Sequence, residues 1–138
     1  EDDEAFKVHV HTDIPGEALT EAQKYGTLEL AKIENMRTQA QQLAADMNAC
    51  VLLKGATTVI AHGEDVAMNV TGCDGMGTGG CGDVLTGTIA ALLAQGMSVW
   101  DAARAGAYYH GRAGEAAQAR LGARGVTAWD VCEALRIE

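Results

Sequence analysis

The feature that most constrains this chain is a glycine-rich run between residues 71 and 87, which contains seven glycines. Glycine lets a backbone approach a ligand closely and adopt positive φ angles, so the run predicts a loop. Apolar residues then recur at Leu85, Ile89 and Leu92 with the spacing of one helical face, and no proline interrupts them. The sequence therefore predicts a glycine loop that leads into the N-terminus of a helix.

The junction between this loop and this helix predicts an anion-binding site. The first N–H groups of a helix have no internal partner, and the helix dipole places partial positive charge there. The candidate donors are the backbone amides of Gly80, Cys81, Gly82 and Asp83. The Asp83 carboxylate has two interpretations at this stage: it complements the dipole in the first turn, or it is a general base that faces a bound phosphate.

Two common glycine-loop families do not fit this run. A P-loop requires Lys-Ser/Thr after its last glycine, whereas Gly82 is followed by Asp83 and Val84. The pattern G-x-G-x-x-G occurs twice, but a dinucleotide-binding fold also needs a second strand that ends in an acid about 20 residues further on. Asp101 has that distance and instead opens another helical stretch, which disfavours the dinucleotide-binding interpretation.

Length and composition limit the chain to a single core. With 138 residues, of which 48% are hydrophobic, it forms at most one ordinary domain. The net charge of −9 disfavours nucleic acid and anionic membranes as partners. We expect a cytoplasmic protein with reduced thiols and no zinc site, because the four cysteines show no C-x-x-C spacing, the N-terminus is acidic and no run is long enough to span a membrane.

Hydrophobic periodicity predicts a mixed α/β architecture. We expect helices at 17–25, 34–47, 99–121 and 127–137, besides the one after the glycine loop, and strands at 6–12, 28–34, 50–53, 57–61 and 66–70. His9 and His11 share one face of the first strand without a further ligand at a suitable spacing, so no metal site is predicted. Lys54 follows a buried strand, where it is either a ligand-binding cation or an exposed strand-end lysine. His110 lies mid-helix as a core side chain, or as one that reaches the ligand side.

Several motifs resemble one known family when they are taken in order. They are VLLKGATTVIA at 51–61, NVTG at 69–72, GTGGCGDVLTG at 77–87, ARAG at 103–106 and YHGRAG at 109–114. Residues 40–138 thereby resemble the C-terminal half of the ADP/ATP-dependent NAD(P)H-hydrate dehydratases, which belong to the ribokinase-like superfamily. The resemblance implies a partial ribokinase-like three-layer sandwich, in which a sheet is flanked by helices.

The resemblance also implies a site and a reaction. Asp83 would activate a hydroxyl of the substrate, hydrated NADH or NADPH, which Asp83 and Asn69 would bind. ADP or ATP with Mg²⁺ would phosphorylate that hydroxyl, and phosphate would then be eliminated. The residues implied in nucleotide binding are Lys54, Gly55, Ala56, Thr57, Thr58, Gly80, Cys81 and Gly82.

The N-terminal residues 6–39 resemble a different family, the C-terminal end of the fatty-acid-kinase and dihydroxyacetone-kinase-related proteins. We therefore predict two segments, 1–39 of different origin and 40–138 as half of a ribokinase-like nucleotide-binding domain. The dehydratases carry a Thr-Pro-His-Pro-Gly-Glu motif upstream. Only Pro15, Gly16 and Glu17 match it here, with Ile14 at the place of the histidine.

Two alternatives to a dehydratase follow from the same residues. A ribokinase-like kinase of a sugar or hydroxymethylpyrimidine would share the glycine loop and Asp83, although NVTG and KGATT favour the dehydratase. A truncated or chimeric chain would instead be an inactive fragment. Its exposed sheet edge would seek a partner strand, so we expect a homo-oligomer.

Overall fold

The computed structural model describes Val10, Thr12, residues 14–27 and residues 35–136. The chain divides into two compact units, residues 1–34 and 35–138. In the first unit, helix α1 spans Pro15–Ala22 and starts with proline, whose fixed φ suits a first helical position. The strands predicted at 6–12 and 28–34 lie wholly or mostly outside the described residues, as do both N-terminal histidines. The boundary predicted at residue 39 falls inside the next helix.

The second unit contains a sheet of three antiparallel strands in the order β1-β2-β3. The strands are β1 (Val51–Leu53), β2 (Thr58–His62) and β3 (Asp65–Asn69). The helices are α2 (Met36–Met47), α3 (Cys81–Ala94), α4 (Val99–Leu121) and α5 (Ala128–Ala134). The second and third strands are each displaced by one residue from the prediction, because the pairing of Ile60 with Ala67 places the hairpin turn at Gly63 and Glu64.

Helices cover both faces of this sheet, as expected for a three-layer arrangement. On β2, Val59 and Ala61 pack in a cluster with Ala40 and Ala44 of α2. The intervening Ile60 packs with alanines of α4 on the opposite face. Successive side chains of a strand point to opposite faces, so a strand covered on both sides reads as a continuous apolar run. The prediction of a sheet flanked by helices is confirmed.

The N-termini of α2 and α5 are set by their capping residues. The Asn35 side chain accepts hydrogen bonds from two backbone amides in the first turn of α2. At α5, Thr127 and Asp130 form a capping box, in which each side chain bonds the backbone of the other residue. The Thr127 hydroxyl and then the Thr127 backbone amide donate to the Asp130 carboxylate, and these two bonds hold the pKa of Asp130 below its usual value. Val131 of α5 is completely buried in a cluster with Cys81 of α3 and Ala117 of α4.

The glycine loop is anchored on α4 by hydrogen bonds that span long sequence separations. The side chain of Thr71 donates to the carbonyl of Tyr108 at 3.1 Å. Two loop amides donate to α4 side chains at 2.9 Å each, Gly72 to Glu115 and Gly75 to Gln118. The loop therefore leaves β3 along a fixed path and delivers the chain to the start of α3.

Glycines on α4 make this close approach feasible. A Cβ atom at Gly111 would lie 2.7 Å from the carbonyl carbon and oxygen of Thr71, and one at Gly114 would overlap the Met76 side chain. Gly106 provides the same room for Ile89 of α3, where a Cβ would lie 2.5 Å from the Ile89 Cγ1 atom. The alanine and glycine content of α4 thus sets the distance between that helix, the loop and α3.

We expect Gly111→Ala to lower the free energy of unfolding by about 1–3 kcal/mol, because the added methyl group overpacks against the Thr71 backbone. Urea denaturation measures this change. Gly87→Ala is the matched control: a Cβ at Gly87 of α3 meets nothing within 4 Å, and alanine favours a helix by up to about 1 kcal/mol over glycine. Equal stability of the Gly111 variant and the parent would contradict the packing described above.

Candidate functional site

A cavity of about 350 Å³ lies between the end of β1 and the first turns of α3. Its apolar wall is formed by Leu52, Leu85 and Ile89, and Lys54, Gly82, Asp83 and Thr86 supply the remaining lining. An apolar wall with a few polar groups is typical of a small-molecule site. The structure therefore brings three of the predicted site residues, Lys54, Gly82 and Asp83, to one cavity.

Lys54 directly follows β1, and its ammonium lies over the backbone of the first turn of α3. A Cβ atom built at Gly82 would lie 2.5 Å from the Lys54 Nζ atom. Only glycine at position 82 leaves room for the ammonium in this position. A cation and the positive end of a helix dipole thus act on the same side of the cavity, which favours an anion there.

The backbone amides at this helix start differ in availability. Gly80 is the residue before the first turn, with a φ of 91° that favours glycine. Its carbonyl accepts hydrogen bonds from the amides of Asp83 at 3.0 Å and Val84 at 3.1 Å. The expectation that the Asp83 amide is free was therefore wrong, because the helix uses it. The amides of Gly80, Cys81 and Gly82 come before these first main-chain bonds of the helix, which Asp83 and Val84 donate; we call these three groups the amide cradle.

The Asp83 side chain is exposed and lines the cavity beside the amide cradle. A carboxylate there complements the helix dipole and is also accessible to a ligand. Both interpretations from the sequence are compatible with this position, so its catalytic role stays a prediction.

Two buried side chains, Cys81 and His110, have pKa values shifted by their surroundings. Burial raises the pKa of the Cys81 thiol, and the nearby Cys73 raises it further while Lys54 opposes both. Burial lowers the pKa of His110, which lies on α4; the backbone of Cys81 raises this pKa, and Lys54 lowers it. Because burial lowers its pKa, His110 is a buried neutral imidazole, which agrees with the expectation of a core side chain.

The other predicted nucleotide residues form the connection between β1 and β2. Gly55 and Ala56 are exposed, whereas Thr57 and Thr58 are half-buried. The structure does not place these four residues in the cavity wall. Their role in binding a nucleotide stays a prediction.

Asn69 ends β3 and uses its side chain inside the fold. Its Nδ2 atom donates to the carbonyls of Thr71 and Ala107 at 3.2 Å each, and its Oδ1 atom accepts from the Thr71 hydroxyl at 2.9 Å. Asn69 joins β3 to α4 and does not line the cavity. Its predicted contact with substrate is not tested by these bonds.

Sequence reasoning missed four residues of the cavity wall: Leu52, Leu85, Thr86 and Ile89. Three of them lie on α3 and follow Gly82 by three, four and seven residues, which is the spacing of one helical face. That spacing was the available signal. Leu52 gave none, since an apolar residue in a buried strand is typical of any core.

Residues 10, 12, 14–27 and 35–136 contain no group of three or more His, Cys, Asp or Glu side chains that is arranged to hold a metal ion. Among the helices that the structure describes, none is both long and apolar enough to cross a membrane.

Comparison with known proteins decides the family. The sequence profile described as NAD(P)H-hydrate dehydratase matches residues 18–136. This chain belongs to the NAD(P)H-hydrate dehydratase family. An ADP-dependent (S)-NAD(P)H-hydrate dehydratase of Cenarchaeum symbiosum is 41% identical over 111 residues, which cover 80% of this chain and 38% of that protein. A bifunctional NAD(P)H-hydrate repair enzyme of Moorella thermoacetica is 45% identical over 128 residues, which cover 91% of this chain and 23% of that protein.

A solved structure of the same family gives the fold. The ADP/ATP-dependent NAD(P)H-hydrate dehydratase of Bacillus subtilis, co-crystallised with ATP/Mg²⁺ and soaked with CoA, matches with a TM-score of 0.70 and 30% identity. The match covers 73% of this chain and 38% of that one. The chain thus spans less than half the length of these dehydratases, and its partial ribokinase-like fold is confirmed.

The family match reaches into the N-terminal segment. It begins at residue 18, inside the segment 1–39 for which the sequence suggested another origin. These comparisons do not support the fatty-acid-kinase resemblance. A separate origin of residues 1–39 stays a prediction.

The lowered pKa of His110 predicts a loss of stability in acid. The unfolded chain binds the proton at the ordinary value of 6.5, whereas the folded chain does so only at a lower pH. The contribution is therefore fully present above about pH 6.5 and is lost as the pH falls through the folded pKa. Urea denaturation over this range should show a shallower acid decline for His110→Gln than for the parent. Identical slopes would mean that another group causes the decline.

Proposed function

We propose that this chain takes part in the nucleotide-dependent dehydration of hydrated NADH or NADPH. The observation that carries the proposal is that Lys54, Gly82 of the amide cradle and Asp83 line one cavity, in a member of the NAD(P)H-hydrate dehydratase family. Two of the relatives described above are an ADP-dependent and an ADP/ATP-dependent dehydratase. ADP or ATP is accordingly the proposed second ligand.

In this proposal, Lys54 and the amide cradle bind phosphate oxygens of the nucleotide. Hydrogen-bond donors that are fixed before the reaction stabilise charge on the transferring phosphoryl group without reorganising. The cation at Lys54 adds to the helix dipole, and Gly82 lets both reach the same oxygen atoms.

Asp83 acts as the general base in the same proposal. Its carboxylate takes the proton of the substrate hydroxyl while that oxygen attacks the terminal phosphorus of the nucleotide. The phosphorus–oxygen bond to the rest of the nucleotide breaks in this step. The carbon–oxygen bond of the resulting phosphate ester then breaks and inorganic phosphate leaves, while the neighbouring carbon loses a proton to solvent, so that a double bond forms and the dehydration is complete.

Magnesium fits this site as a companion of the nucleotide. Mg²⁺ in nucleotide sites is held through substrate phosphates and one or two carboxylates rather than by an all-protein cage. Asp83 is the one cavity-lining carboxylate, and the described residues form no metal cage of their own. When bound, Mg²⁺ supplies neutralisation of phosphate charge.

We also propose self-association through the sheet, the alternative expected from the sequence. Among the described residues, β1 and β3 each pair only with β2, so both have an unpaired edge. Met68 within β3 and Val70 just after it are 59% and 80% exposed. A sedimentation coefficient that rises with protein concentration would support a homo-oligomer. A compact monomer at all concentrations would contradict it.

We expect Gly82→Ala to weaken ADP–Mg²⁺ binding by about tenfold or more, since the new methyl group displaces the Lys54 ammonium from the cradle, and one such charged contact contributes about 1.5–3 kcal/mol. Isothermal titration calorimetry measures the affinity. Gly87→Ala, on the same helix but with free space around it, should bind like the parent. Equal affinities of the two variants would exclude the cradle as the nucleotide site.

Asp83→Asn should separate binding from chemistry. The amide keeps the size of the side chain but cannot accept a proton, so nucleotide affinity should stay within about threefold of the parent while dehydration falls by about 10²-fold or more. The decay of hydrated NADH with ADP–Mg²⁺ or ATP–Mg²⁺ present measures the reaction. Undiminished turnover in this variant would remove Asp83 from the base role. Binding without turnover in the parent would support a non-catalytic fragment.

A further inference from the structure

The apolar wall of the cavity packs against one short stretch of α4. Leu52 of the wall packs against a buried cluster that contains Ala103 and Ala107 of that helix. Ile89 is half-buried, and a Cβ atom built at Gly106 would lie 2.5 Å from its Cγ1 atom. Two of the three side chains of the wall, one on β1 and one on α3, therefore contact the same stretch of α4.

Gly106 is the position on α4 that controls where Ile89 lies. Gly106 is buried, and a Cβ contact as short as 2.5 Å would force one of the two groups to move. The β-branched side chain of Ile89 is stiff at χ1, so it cannot easily rotate out of the way. Ile89 also lines the cavity, whereas Gly106 does not. A side chain at position 106 would therefore change the shape of the apolar wall without entering the cavity itself.

The chemistry of the proposed substrate indicates which group meets this wall. Hydration of NADH adds water across a double bond of the dihydropyridine ring, so the hydroxyl that is lost is attached to the ring itself. A general base must come within about 2.6–3.2 Å of the group whose proton it removes. Asp83 is that base in the proposed reaction and lines the cavity, so the ring must enter the cavity. The adenine of the nucleotide, in contrast, is separated from the transferred phosphoryl group by a ribose and at least one further phosphate.

We propose that the apolar wall binds the dihydropyridine ring of the substrate, and that Gly106 is a positioning residue that acts through Ile89. This inference rests on the proposed function, because Asp83 brings the ring to this cavity. The flat face of the ring suits an aliphatic wall. The cavity volume of about 350 Å³ is near the lower end of the range of about 300–1,000 Å³ for small-molecule sites. The cavity therefore suits the ring portion of the substrate better than the whole dinucleotide.

Reduced nicotinamide riboside is a suitable probe, because it carries the dihydropyridine ring and has no phosphate that could bind the amide cradle. An NMR titration of the ¹⁵N-labelled chain with this probe gives both its affinity and the position of the bound ring. We expect the largest saturable amide changes at residues 85–89. Adenosine, which is also a ring on a ribose without phosphate, should cause no saturable change there.

Three variants test the role of Gly106. Gly106→Ala should weaken riboside binding by about tenfold and leave the affinity for ADP–Mg²⁺ unchanged, because it alters the apolar wall alone. Ile89→Ala should also weaken riboside binding, and Gly106→Ala added to it should have no further effect, since the Cγ1 atom that the new methyl group displaces is then absent. The control Gly87→Ala lies on the same helix as Ile89, where a Cβ meets nothing within 4 Å, and should bind both ligands like the parent.

Equal riboside affinities of Gly106→Ala and the parent would overturn the inference, as would equal losses of riboside and ADP–Mg²⁺ affinity in that variant. Saturable changes at residues 85–89 with adenosine and not with the riboside would also overturn it and assign the wall to the base of the nucleotide. A parent that binds ADP–Mg²⁺ and no riboside would overturn this inference alone, whereas a parent that binds neither would overturn the proposed function with it. If Gly106→Ala does not fold, the positions of the amide changes in the parent provide the same test.

Discussion

The close packing of the glycine loop against α4 is the contact on which the candidate site depends. Thr71 lies against Gly111 so tightly that a single methyl group would overlap its backbone. The amides of Gly72 and Gly75 are then fixed by side chains of the same helix. The loop therefore reaches the start of α3 on a defined path, which brings Gly82 of the cradle to the cavity wall. A looser loop would give the same sequence motif without a preorganised site.

Two opposite demands meet at the first turn of α3. An anion site needs unpaired donors and positive charge, and these are costly to bury without a ligand. The fold meets this cost by leaving Lys54 and Asp83 exposed while Cys81, beneath them, is buried with Val131 and Ala117. Rigidity thus comes from the apolar side of the turn, and charge is confined to the solvent side. Gly82 has no side chain, so the Lys54 ammonium can lie directly over the backbone of this turn.

Local signals predicted much of this fold, and long-range contacts account for the differences. The glycine loop, the start of α3 at Cys81 and the capping box of α5 follow from residues that are close in sequence. The exact limits of β2 and β3 depend on cross-strand pairing, which shifted each by one residue. The use of Asn69 as a link between β3 and α4 was not predictable, because its partner Ala107 lies 38 residues away. The use of the Asp83 amide was missed for a different reason, since the carbonyl of Gly80 is a local acceptor that the glycine spacing does not reveal.

The central claim is that free amides at the start of α3, together with Lys54, hold the phosphates of a nucleotide. An NMR titration of the ¹⁵N-labelled chain with ADP–Mg²⁺ tests it most directly, because each amide reports on its own surroundings. We expect the largest saturable changes at Gly80, Cys81 and Gly82, with smaller ones at Lys54. Saturable changes confined to other parts of the chain, or none at millimolar nucleotide, would contradict it.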